Sequence, residues 1–107
     1  MKFGFPVYTA SDISASAKLA HKLCFDYVEM DLNPPRPDCI TDKEIKIIER
    51  LKEEYNLELA FHAPIFGIDI AHLSGIISEA SMHVIMNSIK FAEKFEPLYF
   101  KCIIPLR

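Results

Sequence analysis

Four side chains in this sequence have the types and spacing to act together: Glu29, Asp31, His62 and Asp69. Glu29 and Asp31 stand two apart in an alternating run, Phe25 to Leu32. His62 closes a second run, Leu57-Glu58-Leu59-Ala60-Phe61-His62, just before Ala63-Pro64. Successive side chains of an extended chain point to opposite faces, so Glu29 and Asp31 share a face and His62 lies opposite Phe61. An imidazole among carboxylates can move protons, or with three or four donors hold a divalent metal. Glu29 and His62 are therefore the candidate acid–base pair. His62, Asp31 and Asp69 are the candidate metal donors, expected to converge at one rim. Lys101 has the parity to face the same way and is expected to form a structural ion pair with Glu29 or Asp31. His72 is expected to pin its loop, and His21 and His83 to lie on helices.

These residues need elements to position them. Lys2–Val7, Phe25–Leu32, Leu57–His62 and Leu98–Ile104 read as strands. Ser11 or Asp12 can cap a helix that runs to about Leu23, with Ile13, Ala17, Ala20 and Cys24 at helical spacing and Leu19 and Leu23 widening the stripe. Thr41-Asp42-Lys43-Glu44 is a capping box for a second helix, which buries Ile45, Ile48, Leu51 and Tyr55. Cys24 and Asn56 are expected to end these helices in the left-handed conformation. A third helix, about Ile77–Phe95, carries two apolar stripes: Ala80, Val84, Phe91 and Phe95, then Met82, Ile85, Met86 and Ile89. The order β-α-β-α-β-α-β implies a parallel sheet with right-handed crossovers. Laid out in sequential order, the strands put every helix on one face. Glu29, Asp31, Ala60 and His62 then line the other, uncovered face, and His62 sits at the carboxyl ends of the strands, where α/β folds bind ligands.

Composition narrows the function classes. The chain has 107 residues, half of them hydrophobic, enough for one domain, 1–107, with a real core. A net charge of −3 gives no basic footprint for nucleic acid. No apolar run reaches the length of a membrane span, and residues 1–6 lack a signal-peptide core, so a cytoplasmic location is expected. The three cysteines have no C-x-x-C spacing, which argues against a disulfide framework or a cysteine zinc site. Three glycines cannot build a phosphate-binding glycine loop.

The pattern Phe25-Asp26-Tyr27-Val28-Glu29-Met30, Leu59-Ala60-Phe61-His62-Ala63-Pro64 and Asp69-Ile70-Ala71-His72-Leu73 resembles the xylose-isomerase-like TIM barrels, over roughly residues 2–100. That superfamily includes sugar-phosphate isomerases and epimerases and the endonuclease IV type of abasic-site nuclease. A complete (β/α)₈ barrel takes about 250 residues. The resemblance therefore implies the amino-terminal half only, a half-barrel. It implies an ancestral metal-dependent sugar or sugar-phosphate isomerase or epimerase, with zinc, manganese or magnesium in the complete barrel. It places His62 where endonuclease IV-type members have an early zinc-ligand histidine. The alternatives are an abasic-site nuclease fragment and a non-catalytic, self-associating half-barrel. The sequence departs from the family at Ile103, where a fourth-strand histidine is usual, and at Cys24, where glycine is usual. The missing ligands imply a chain not catalytically complete by itself. An uncovered sheet face and open edges imply a homo-oligomer, expected to be a dimer. The expected small partner is a sugar or sugar phosphate; nucleic acid and membrane are not expected.

Overall fold

The computed structural model describes residues 1–8, 12–34 and 40–103. Its elements alternate as β1 (Gly4–Val7), α1 (Ile13–Lys22), β2 (Tyr27–Asp31), α2 (Asp42–Glu54), β3 (Glu58–His62), α3 (Gly75–Glu93) and β4 (Phe100–Lys101). The strands are all parallel and lie in the order β1-β2-β3-β4. The register sets Glu29 beside Ala60, Asp31 beside His62, and His62 beside Lys101.

The strands are shorter than the sequence suggests, yet their pairing extends further. Before β1, the Phe3 N–H donates to the Asp26 carboxylate at 2.7 Å and the Phe3 carbonyl accepts from the Asp26 N–H at 2.8 Å. Before β4, the Leu98 N–H donates to the Leu59 carbonyl at 2.7 Å and the Phe61 N–H to the Tyr99 carbonyl at 3.1 Å. The chain thus follows β3 from Leu98 onward, although only Phe100 and Lys101 are regular strand. Ile104 lies outside the described residues, as do Ser11 and Cys39.

Helix boundaries follow from local chemistry. Asp12 caps α1, its carboxylate accepting from the Ala15 N–H at 2.7 Å. The capping box on α2 is complete: Glu44 accepts from the Thr41 N–H at 2.8 Å, and the Thr41 hydroxyl oxygen accepts from the Glu44 N–H at 3.3 Å. Each helix-to-strand turn passes through a left-handed residue: Cys24 (φ 61°), Asn56 (φ 48°) and Glu96 (φ 48°). At the first two, the next residue's N–H reaches back into the last turn of the helix, Phe25 to the Ala20 carbonyl and Leu57 to the Lys52 carbonyl.

One core lies between the sheet and the helices. Val7, Val28, Met30, Leu32, Leu59 and Phe61 meet Ala17 and Ala20 of α1, Ile48 and Leu51 of α2, and Phe91, Ala92 and Phe95 from α3 and its end. Ile45 and Tyr55 are only half-buried against this core. Two expected stripes hold in part. On α1, Ala17 and Ala20 are buried and Ile13 packs against the core, while Leu19, Leu23 and Cys24 are exposed. On α3 the buried face is Ser81, Ile85, Ser88, Phe91 and Ala92, while Ala80, Met82 and Met86 are exposed. Serines reach the core because Ser88 bonds the Val84 carbonyl at 2.9 Å and Ser81 accepts from the Asp69 N–H at 2.9 Å, so neither buries an unmet hydroxyl. No helix among the described residues is long and apolar enough to cross a membrane.

Candidate functional site

The face of the sheet away from the core is polar, and its side chains come from alternate positions of the strands. Glu29 and Asp31 project from β2, His62 from β3 and Lys101 from β4, as parity requires. A cavity of about 230 Å³ opens at the carboxyl ends of β1 to β3. Glu29, Asp31, Asn33 and His62 give it a polar side; Pro6, Val7, Tyr8, Ile65 and Phe66 give it an apolar one. No lysine or arginine among the described residues lines it.

The orientation of His62 is set by its own loop. Its Nδ1 lies 2.7 Å from the Ala63 carbonyl oxygen. A carbonyl can only accept, so Nδ1 carries the proton, and in the neutral ring Nε2 keeps a lone pair. β3 ends at His62, and Pro64, with no N–H to give, cannot extend its pairing.

Asp31 is tied to Asn33. Asp31 Oδ1 accepts from the Asn33 backbone N–H at 2.7 Å and from its side-chain amide at 2.5 Å. The Asn33 side-chain oxygen accepts in turn from the N–H groups of Ile65 and Phe66, at 2.7 and 3.0 Å. Asn33 is 5% exposed, so this amide fixes the wall of the cavity to its floor. Its place two residues beyond Asp31 was the available signal; the run of prolines after it suggested only a loop.

Glu29 is held from the other side. Lys101 Nζ stands 3.3 Å from Glu29 Oε1, the structural pair anticipated from parity. The Tyr99 hydroxyl donates to Glu29 Oε2 and shares a 3.3 Å hydrogen bond with the Tyr27 hydroxyl. Burial, and then the bonds to Glu29 and Tyr27, push the Tyr99 phenol well above its usual pKa. Tyr27 lies over Gly4, where a Cβ would collide with the ring. Reading the sequence did not find this tyrosine pair, although Tyr99 has the parity of Lys101.

Asp69 is elsewhere. Its N–H is bonded to Ser81 and its carbonyl accepts from the His72 N–H at 3.3 Å, so it stands over the start of α3. His72 Nδ1 accepts from the Ser74 N–H at 2.9 Å, pinning that loop. The structure thus brings Asp31, Glu29 and His62 to one cavity, and Asp69 is not among its lining residues. No three His, Cys, Asp or Glu side chains among the described residues form a group able to hold a metal. The described donors do not fit a divalent ion: His62 and Asp31 are two, and Glu29 already faces a lysine and a phenol.

No protein-family model matches the sequence, and no curated protein does. Solved structures do match. Endonuclease IV from Thermus thermophilus superposes with a TM-score of 0.75 at 18% identity, covering 95% of this chain and 39% of that one. A D-tagatose 3-epimerase-like protein superposes with a TM-score of 0.71 at 20% identity, covering 94% of this chain and 36% of that one. At such identities the likeness is one of fold, and the chain spans under two-fifths of either protein's length. Four parallel strands in sequential order, with their helices on one face, have the fold of part of a TIM barrel.

Proposed function

We propose that this chain is the amino-terminal half of an ancestrally metal-dependent sugar isomerase or epimerase, and that as it stands it binds a neutral sugar without turning it over. The observation that carries this reading is His62, whose Nδ1–H is fixed on the Ala63 carbonyl and which lines the cavity with Asp31 and Glu29. Hydroxyl groups of a sugar can donate to Nε2 and to the carboxylates, while Phe66 and Tyr8 offer apolar surface to its C–H face. In a complete barrel a metal would polarise the sugar carbonyl; here the chain's own groups can only orient hydroxyls and accept their protons. Two carboxylates line the cavity and the Lys101 ammonium beside it is already drawn to one of them, which disfavours a phosphate and ranks the isomerase reading above the abasic-site nuclease.

The polar face also needs a cover. Parallel sheets of α/β proteins are normally covered on both faces, and the core accounts for one only. The uncovered face carries Asp31 and Lys101, and a two-fold axis between two such faces can set each against the other's opposite charge. A second copy is therefore the proposed cover.

The sugar reading is tested by titrating a neutral ketohexose, a hexose phosphate and a duplex with an abasic site, following the His62 ring protons by NMR. A millimolar-range response to the neutral sugar, absent in His62→Ala, supports it. A response to the abasic duplex or the phosphate, with none to the neutral sugar, would replace it with the nuclease or sugar-phosphate reading.

A further inference from the structure

Resting on the reading of the inner-face cavity as the binding site, we infer that Lys101 supplies beside Glu29 the positive charge a divalent ion would bring, so that the site works without a metal. Lys101 and His62 are register neighbours on β4 and β3, with side chains on the same face. The Lys101 ammonium stands 3.3 Å from Glu29 Oε1. The other Glu29 oxygen accepts from Tyr99, whose hydroxyl is tied to Tyr27. Both oxygens of Glu29 are thus engaged by this chain's own groups, and one of those groups carries the charge a metal would bring.

This arrangement works against a metal in two ways and serves the cavity in a third. An incoming dication would meet a like charge at short range. With Glu29 engaged by Lys101 and Tyr99, His62 and Asp31 would be its two remaining ligands, since Asp69 lies over α3. And Lys101 offsets the charge of Glu29 whatever the metal supply.

Cobalt(II) is the probe, because four-coordinate cobalt bound by nitrogen and oxygen gives intense visible bands and six-coordinate cobalt does not. Wild type, Lys101→Met, Lys101→His and the double variant Lys101→His/His62→Ala are titrated, with thermal melts to establish folding. Wild type is expected to show no intense bands. Lys101→Met, which removes only the like charge, is expected to bind roughly tenfold more tightly than wild type. Lys101→His replaces the ammonium by a nitrogen donor next to His62 in register, a third beside His62 and Asp31, and is expected to give the intense bands, lost in the double variant. Intense bands in wild type would overturn the inference. So would a folded Lys101→His without them, or bands that survive the loss of His62. If Lys101→His does not fold, equal cobalt affinity in Lys101→Met and wild type overturns it. Neither cobalt result depends on the sugar titration, so the two claims fail separately.

Discussion

Tyr99 joins Glu29 to Tyr27 and so links β4 to β2 across the polar face. Its proton is held more tightly in the folded chain than in an unfolded one, first by burial and then by the carboxylate. A phenol of that kind adds stability that is whole below about pH 10, the ordinary tyrosine value, and is lost as pH rises through its higher folded value. Tyr99→Phe should cost about 1 kcal/mol at neutral pH, the net worth of one side-chain hydrogen bond. The variant should also lose stability less steeply above pH 10 than wild type does. Urea midpoints at pH 8, 10 and 11 check both statements; parallel curves for the two proteins would show that the phenol is not held by its neighbours. At the same scale, His62, Glu29 and Asp31 were legible because each carries obvious chemistry at a strand position of fixed parity. Asn33 and Tyr99 were not, because what matters at these two is a partner more than thirty positions away, Ile65 for the one and Glu29 for the other.

The elements were legible from periodicity and caps, and their ends less so. Alternation over Tyr27–Asp31 and Glu58–His62 decided two strands, and Thr41 with Glu44 decided the start of α2. The stripes were right at Ala17 and Ala20 on α1 and at Ile85, Phe91 and Phe95 on and just after α3, and wrong at Leu19, Leu23, Ala80, Met82 and Met86, because apolar spacing cannot say how far round a helix its contact with the sheet extends. On α3 the small polar residues Ser81 and Ser88 take buried positions instead. The junction after α1 carries a prediction at this scale. Cys24 adopts φ 61° with an exposed side chain, so its Cβ contributes strain and little packing. Cys24→Gly should raise stability by about 1 kcal/mol. For a domain of this size that is a melting point higher by roughly 4–8 °C, read by calorimetry. A lower melting point would mean that unfolded-chain entropy gained by glycine outweighs the relieved strain.

For the molecule as a whole, the parallel order and the one-sided helices leave the polar face of the sheet without a helix across it among the described residues. Exposed apolar side chains gather on the helices at either end, Leu19 and Leu23 on α1 and its cap, and Ile76, Met82 and Met86 on α3. On the cavity lip, Phe66 is 71% exposed. Single exposed apolar residues are ordinary, but groups of them favour association. The proposed half-site needs a second copy to cover it, and that is the claim on which the account turns. Sedimentation equilibrium at micromolar concentration tests it directly. The expected result is a species of twice the chain mass, dissociating on dilution. A monomer with sharp amide dispersion that binds no apolar dye would contradict it.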